Sequence, residues 1–305
     1  MNNNIAAIEK RALLIGVIAN LIMAISGWVA FNLSGSEALL LDGNMSFILF
    51  ITAIVALKIA KIKSMKSDAF PFGLYVTEAL YTFMKGLLLL GVVISAIVTN
   101  SSKVLSYLQG NEIALIKTGI IAYYAIAMVI ICGGLALFYR SQNKKINNTS
   151  SMLKVDQKAS FIDGVLSAST GAILIAIGFI DPAGAIGFLL YIGDSLLVII
   201  LATLMVGQPI KIIKEAFVEL AGGTLRDEHG YKDIKEKVHV YLDVEEQKIS
   251  SLHISKTGSS YLVVVGMDHS RLSDTAAKSL LERKQTLTKE LQISYPIIDI
   301  EMVIA

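Results

Sequence analysis

Residues 38–57 have the sequence ALLLDGNMSFILFITAIVAL, a run of 20 residues in which Asp42 is the only charged side chain. An α-helix needs about 20 predominantly apolar residues to cross the hydrocarbon core of a bilayer. This stretch therefore predicts a membrane-spanning helix with a carboxylate near its start. The rest of the fold prediction follows from how often the chain repeats such a run.

Five further stretches have the same character. With 38–57, they contain only four charged residues in total, Asp42, Lys85, Asp163 and Asp194. The sequence therefore predicts six membrane-spanning helices. Polar residues precede the apolar part of the fifth, and that helix is expected to begin as early as 148–151. The other predicted spans are 12–31, 79–99, 118–138, 159–180 and 187–207.

The composition of the 305-residue chain points to the same class of protein. Hydrophobic residues make up 54% of it and charged residues 17%, whereas soluble domains carry about 25% charged residues. A net charge of +2 gives no basic face for nucleic acid, and the single cysteine, Cys132, excludes an intramolecular disulfide framework and a Cys-rich zinc site. The expected partner is a lipid bilayer, with no nucleic acid.

Lysine and arginine residues are distributed unequally between the two sides of the predicted membrane domain. Eleven lie near the N-terminus, after the second span and around the start of the fifth, whereas the opposite side has only Lys103 and Lys117. Cytoplasmic loops are the ones enriched in Lys and Arg. The sequence therefore predicts a multi-pass protein with both termini in the cytoplasm.

Beyond residue 208 the chain becomes polar. Residues 209–305 contain 13 Lys/Arg, 15 Asp/Glu and all four histidines. Periodicity and turn signals predict the order α-β-β-α-β, with Ser273 as the N-cap of the second helix. Two domains are expected: a six-helix transmembrane domain at 1–208 and a cytoplasmic, ferredoxin-like α+β domain at 209–305. The predicted elements of the second domain are 229–241, 248–256, 261–267, 274–292 and 297–304.

An internal repeat links the second and fifth spans. Residues 42–49 (DGNMSFIL) and 156–163 (DQKASFID) share the frame D-x-x-x-S-F-I-x at the start of two spans. Duplication explains this placement better than chance does. Secondary transporters often contain such repeats and place their binding sites at the repeat interface.

Three further motifs carry a family resemblance. Residues 34–43 (SGSEALLLDG) precede and begin the second span, Glu78 follows residues 70–73 (FPFG), and Gly193-Asp194-Ser195 begins the sixth helix. With the six spans and the C-terminal domain, they resemble the cation diffusion facilitator family of zinc-transporter-like cation efflux proteins. The resemblance implies a homodimer, export from the cytoplasm in exchange for protons and no enzymatic activity. It places Asp194 near the outer surface.

The resemblance also implies where a metal would bind. The family uses two H/D-x-x-x-D pairs, on the second and fifth helices, each beginning three residues after an aspartate. In this sequence the four positions fall on Met45, Leu49, Ala159 and Asp163, and a one-residue gap would move the first pair to Asn44 and Ile48. Three ligands are replaced in the first alignment, so a four-ligand tetrahedral zinc site is predicted to be absent.

Asp163 is accordingly the first candidate metal-binding residue, because a charged side chain in a span usually faces an interior or an aqueous path. Asp42, Asp156 and Asn44 are secondary candidates for an oxygen-rich site, which would suit Mg²⁺, Mn²⁺ or Na⁺ better than zinc. The alternative for Asp42 and Asp156 is helix positioning. Lys85 is either a counter-charge to Asp163 or a side chain that extends to the interface.

These observations predict a secondary transporter that exports a cation, expected to be a divalent metal, in exchange for protons. No resident cofactor is expected, and the sequence has no G-x-x-x-x-G-K-[ST] motif for ATP. The alternative is a non-transporting relative that acts as a dimerisation or regulatory partner of an active paralogue. The compact chain favours a prokaryotic plasma (inner) membrane.

Overall fold

A computed structural model describes residues 2–70, 73–113, 115, 117–145, 151–242, 249–267 and 274–304. The elements occur in the order of six long helices, two shorter helices, a hairpin, a further helix and a last strand. They are α1 (Asn2–Ser34), α2 (Glu37–Ile62), α3 (Val76–Leu108), α4 (Thr118–Lys145), α5 (Ser151–Ile177), α6 (Leu189–Met205), α7 (Gly207–Leu220), α8 (Glu228–Leu242), β1 (Ile249–Thr257), β2 (Ser260–Met267), α9 (Asp274–Ser294) and β3 (Ile298–Ile304).

The predicted fold class is confirmed. Among the described residues, six helices are long and apolar enough to cross a membrane, and each overlaps one predicted span. The fifth helix ends at Ile177 and the sixth begins at Leu189, so the predicted spans 159–180 and 187–207 each extend two or three residues too far. The fifth begins at Ser151, so its polar first turns continue directly into the apolar part. The protein is therefore a multi-pass membrane protein. Ser273, Pro71 and Phe72, which the sequence analysis used, lie outside the described residues.

Helix α7 was not predicted. It follows α6 after Val206 and continues the chain as an amphipathic helix, with Lys211 Nζ 3.8 Å from Glu215 Oε1 one turn later. Pro209 is its third residue, and a proline in the first turn of a helix costs no intrahelical hydrogen bond. The sequence analysis ended the sixth span at 207 because polar residues begin there.

The chain folds as two compact units. Unit 1 contains Met1–Val55 and Leu87–Pro209, and unit 2 contains Ala56–Gly86 and Ile210–Ala305. Unit 2 thus includes the end of α2, the following loop and the start of α3 in addition to the C-terminal residues. The functional boundary between 208 and 209 stays a prediction.

Unit 1 is held together by close helix packing around a buried apolar core from α1, α2, α4, α5 and α6. Small residues let the helix backbones approach closely, as is typical of membrane proteins. A Cβ atom on Gly27 of α1 would lie 2.6 Å from the Cα of Gly43 on α2. Gly171 of α5 faces Ala125 of α4 in a similarly tight crossing.

Helix α1 also shows which side faces lipid. Ile15, Ile18, Ile22, Ile25 and Val29 are exposed, although all are strongly apolar. Their spacing of three and four residues places them in one stripe along the helix. A stripe of this kind is stable in hydrocarbon and unstable in water, which agrees with a membrane-spanning α1.

Unit 2 contains a three-stranded sheet in the order β1-β2-β3. Strands β1 and β2 are antiparallel, and β2 and β3 are parallel with α9 between them in the chain. Apolar residues of α8 and α9 pack against the sheet. The buried residues of this core include Ile234, Val238, Leu242, Ile254, Val263, Val265, Leu280, Leu287, Leu291 and Ile300. The predicted α-β-β-α-β order of the C-terminal region is confirmed.

Candidate functional site

Unit 1 contains a cavity of about 270 Å³ among α2, α4, α5 and α6. On α2 its lining begins at Ala38 and ends at Leu49, and on α5 it begins at Ala159 and ends at Gly171. With a rise of 1.5 Å per residue, these segments are about 16 and 18 Å long. The lining residues follow three- and four-residue spacing, so the two helices turn one face each towards the cavity. The cavity is therefore an elongated space along both helices.

The four positions that the family resemblance singled out all line this cavity. They are Met45 and Leu49 on α2, and Ala159 and Asp163 on α5. Three of these side chains are apolar, so Asp163 alone brings a charge from this set. Among the described residues of unit 1, no Lys, Arg or His nitrogen forms an ion pair with the Asp163 carboxylate. Asp163 is an exposed residue of the cavity lining.

Asp42 is the second carboxylate in the lining, and it has a defined partner. Tyr124 Oη of α4 donates a hydrogen bond of 2.6 Å to Asp42 Oδ2, and Tyr124 itself lines the cavity. The sequence analysis missed Tyr124. The two residues are 82 positions apart, and nothing in the sequence distinguishes this tyrosine from others in the predicted spans.

The remaining polar groups of the lining carry oxygen donors. Hydroxyl or amide groups come from Ser46, Ser167, Thr170 and Gln208. The described part of the chain contains no group of three or more His, Cys, Asp or Glu residues that could hold a metal ion. The charged donors of the cavity are accordingly the two carboxylates, and its other oxygen donors are uncharged.

The structure does not bring the other candidates into this lining. Asn44 lies on another side of α2, where its Oδ1 accepts a hydrogen bond of 2.9 Å from Trp28 Nε1. Asp156 is a partly buried residue in the second turn of α5, so the repeat partner of Asp42 lies outside the cavity. Lys85 is a partly buried residue of α3 in unit 2. Its pairing with Asp163 stays a prediction.

Asp194 has a structural role that the sequence did not reveal. It is fully buried in α6 and accepts hydrogen bonds from the first residues of α2: 2.8 Å from Ser36 Oγ, 2.5 Å from Glu37 N and 3.3 Å from Ala38 N. The first amides of a helix have no intrahelical partner. A carboxylate there satisfies them and complements the positive end of the helix dipole. Asp194 therefore fixes the end of α2 at which the cavity lining begins.

Unit 2 has its own carboxylate cluster at the turn of the β1–β2 hairpin. Glu78 accepts hydrogen bonds from Lys63 Nζ at 2.8 Å and from Ser259 N and Oγ at 2.6 Å each. Glu219 of α7 accepts one from Gly258 N at 3.1 Å. Gly258 has φ of 59°, in the left-handed region that favours glycine in a two-residue turn. These contacts hold the hairpin turn against the first turn of α3 and the last turn of α7.

A family model described as the cation efflux transmembrane domain matches residues 13–221, which is more than half of the chain. The chain belongs to the cation efflux, or cation diffusion facilitator, family. Every residue that lines the cavity lies inside the matched region. This cation efflux protein is thus a member of a family of metal-cation transporters. No curated protein matches the chain.

Proposed function

We propose that this cation efflux protein exchanges a cation for protons at Asp163. The observation that carries the proposal is the Asp163 carboxylate, which lies in a membrane-domain cavity without an ion-pair partner among the described residues of unit 1. A bare carboxylate in such a place is costly. It is stabilised either by a bound cation or by a proton. Because the two compete for the same oxygens, loading the cation releases the proton.

Asp42 supports this exchange as a second, oriented carboxylate. Its hydrogen bond from Tyr124 keeps one oxygen directed to α4, and Asp42 also lines the cavity. In its ionised form Asp42 attracts a cation into the cavity. Asp163, which has no such donor among the residues that the structure describes, is the group expected to change its protonation state.

The family and the donor atoms together favour a divalent metal ion of the hard class. Carboxylate, hydroxyl and amide oxygens suit Mg²⁺ and Mn²⁺, whereas tetrahedral zinc sites use Cys, His and carboxylate ligands. Mg²⁺ also retains several waters and is commonly bound through one or two carboxylates. Two carboxylates in a roomy cavity match that mode better than a compact zinc site.

Reconstitution into proteoliposomes loaded with a pH dye tests this proposal. Zn²⁺, Mn²⁺, Mg²⁺, Co²⁺ and Na⁺ are added in turn to the wild type, to Asp163→Asn and to Asp181→Asn. Asp181 is an exposed loop carboxylate that binds the amide of Ala183, so it is a matched control outside the cavity. We expect coupled proton movement for at least one cation, its loss in Asp163→Asn and its retention in Asp181→Asn. Equal movement in wild type and Asp163→Asn would contradict the proposal.

We further propose a multi-pass protein in a prokaryotic cell membrane, with both termini in the cytoplasm and two copies associated. The Lys/Arg distribution supports the orientation. Cys132 is buried, so background thiol labelling is low. Asn111 and Lys144 are both exposed, so a cysteine at either position can react when the reagent reaches it. With both termini in the cytoplasm, a membrane-impermeant maleimide on intact cells should label Asn111→Cys on the outer side and spare Lys144→Cys on the cytoplasmic side. The reverse labelling pattern would show the opposite orientation in the membrane.

Cross-linking of purified protein tests whether two copies associate.

A second candidate function is that of a non-transporting partner of an active paralogue. The lack of a three-ligand His, Cys, Asp or Glu group in the described residues favours it. Such a protein would co-purify with the paralogue and move no cation when folded and reconstituted alone. Cation movement by this chain alone would exclude it.

A further inference from the structure

The unit 1 cavity is longer and more apolar than a metal ion alone requires. A metal ion needs donor oxygens about 2.0–2.6 Å away on several sides. This cavity extends about 16 Å along α2, with Asp42 and Asp163 as its charged groups. Most of its wall is apolar. A bare ion held by the carboxylates would leave the greater part of that wall in contact with water.

The apolar wall and the two carboxylates together suit a further type of ligand. The apolar part includes Leu39, Leu41, Met45, Leu49, Leu166 and Leu201. Methionine is an adaptable side chain that fits ligands of varied shape. A volume of about 270 Å³ is close to the lower end of the roughly 300–1,000 Å³ typical of small-molecule pockets. These features match a small cation that carries its own apolar surface.

We infer that the cavity accepts small organic ammonium ions, with the positive nitrogen near Asp163 and the alkyl groups against the apolar wall. The inference rests on the proposed function, since it uses the same carboxylate as the cation site. Charge complementarity comes from Asp163, which has no ion-pair partner among the described residues of unit 1. Burial of the alkyl groups contributes the remaining affinity. Each methylene buried against the wall tightens binding about four-fold.

Quaternary ammonium ions are the appropriate probes. A primary amine crosses a bilayer as the neutral base and carries protons without any protein, whereas tetraethylammonium keeps its charge. Uptake of radiolabelled tetraethylammonium is measured in proteoliposomes with an imposed pH gradient. The smaller tetramethylammonium serves as the size control, and Mn²⁺, Mg²⁺ and Zn²⁺ are run in parallel.

We expect wild-type and Asp181→Asn protein to take up tetraethylammonium, and to bind it more tightly than tetramethylammonium. Asp163→Asn should weaken binding about ten- to hundred-fold, since the attraction between the carboxylate and the positive nitrogen is lost. Ala159→Leu is a second variant that adds apolar bulk to the wall and is compatible with a membrane helix. It should reduce tetraethylammonium uptake more than tetramethylammonium uptake.

Results that contradict this inference can be distinguished from results that contradict the proposed function. Asp163-dependent movement of a metal ion, with no tetraethylammonium uptake and no competition by it, would overturn the inference and leave the proposed function standing. Tetraethylammonium uptake that is unchanged in Asp163→Asn would also overturn the inference. If folded protein moves none of the cations, the proposed function and the inference both fail.

Discussion

The phenol of Tyr124 donates a 2.6 Å hydrogen bond to the carboxylate of Asp42, and both side chains line the cavity that contains Asp163. The bond connects α4 to α2. It distinguishes two carboxylates that share one cavity, because Asp42 has a fixed donor whereas Asp163 has no ion-pair partner among the described residues of unit 1. This difference underlies the separate roles proposed for them.

Tyr124→Phe should therefore alter both stability and transport. Hydrogen bonds between membrane helices contribute about 0.6 kcal/mol on average and up to about 1.7 kcal/mol. We expect a loss of that size in the free energy of unfolding, measured by denaturation in mixed micelles. The double variant with Asp42→Asn should lose less than the sum of the single losses. Strict additivity would show that the bond does not contribute.

Asp194→Ala should be more destabilising than either change at the Tyr124–Asp42 pair. The substitution removes the acceptor of one hydroxyl and two backbone donors at the start of α2. A lost N-cap costs about 0.5–2 kcal/mol, and a buried unsatisfied donor costs about 1–3 kcal/mol. Thermal unfolding in detergent should show a clear fall in Tm. Asp194→Asn, which retains one acceptor oxygen, should lie between wild type and Asp194→Ala; a Tm of Asp194→Ala equal to that of the wild type would refute the capping role.

Gly27→Ala should disrupt the crossing of α1 and α2, because the new Cβ would lie 2.6 Å from the backbone of Gly43. Overpacking of this kind costs about 1–3 kcal/mol. Gly91→Ala on α3 is the matched control, since no atom outside its chain neighbours and the adjoining backbone of its own helix lies within 4 Å of its added Cβ. Unfolding in mixed micelles should separate the two variants. Equal stability would mean that the close approach is not needed.

Glu78→Gln should loosen the hairpin turn of unit 2. Glu78 accepts both the amide and the hydroxyl of Ser259, and it pairs with Lys63. We expect faster hydrogen exchange at the Ser259 amide, while exchange at buried Val263 in the middle of β2 is unchanged. Ser259→Ala should have a smaller effect because it retains the backbone donor. Unchanged exchange at residue 259 in Glu78→Gln would contradict this role.

The sequence predicted those parts of the fold that depend on local pattern. Twenty-residue apolar runs determine the spans, and period-two or period-3.6 patterns determine the elements of the C-terminal domain. Helix α7 was not predicted, because the sixth span was taken to end at 207, where polar residues begin. Pro209 lies in the first turn of this helix, where a proline costs no intrahelical hydrogen bond.

The candidate site was predictable only where a motif repeats. The family resemblance implied four positions, in the register that aligns 42–49 with 156–163, and all four line one cavity. The partners of the polar residues were not predictable. Tyr124 and Asp42 are 82 residues apart, and Ser36 and Asp194 are 158 apart, so their pairing depends on helix packing alone. The hydrogen bond from Trp28 on α1 to Asn44 was not predictable for the same reason.

The most direct test of proton-coupled cation binding at Asp163 is proton release from purified protein in weakly buffered detergent. Saturating Mn²⁺, Mg²⁺, Zn²⁺ or tetraethylammonium is added to wild type, Asp163→Asn and Asp181→Asn, and released protons are counted with a pH electrode. The account predicts that at least one cation releases protons from wild type and Asp181→Asn and fewer from Asp163→Asn. Equal release from wild type and Asp163→Asn, with cation binding retained, would contradict it.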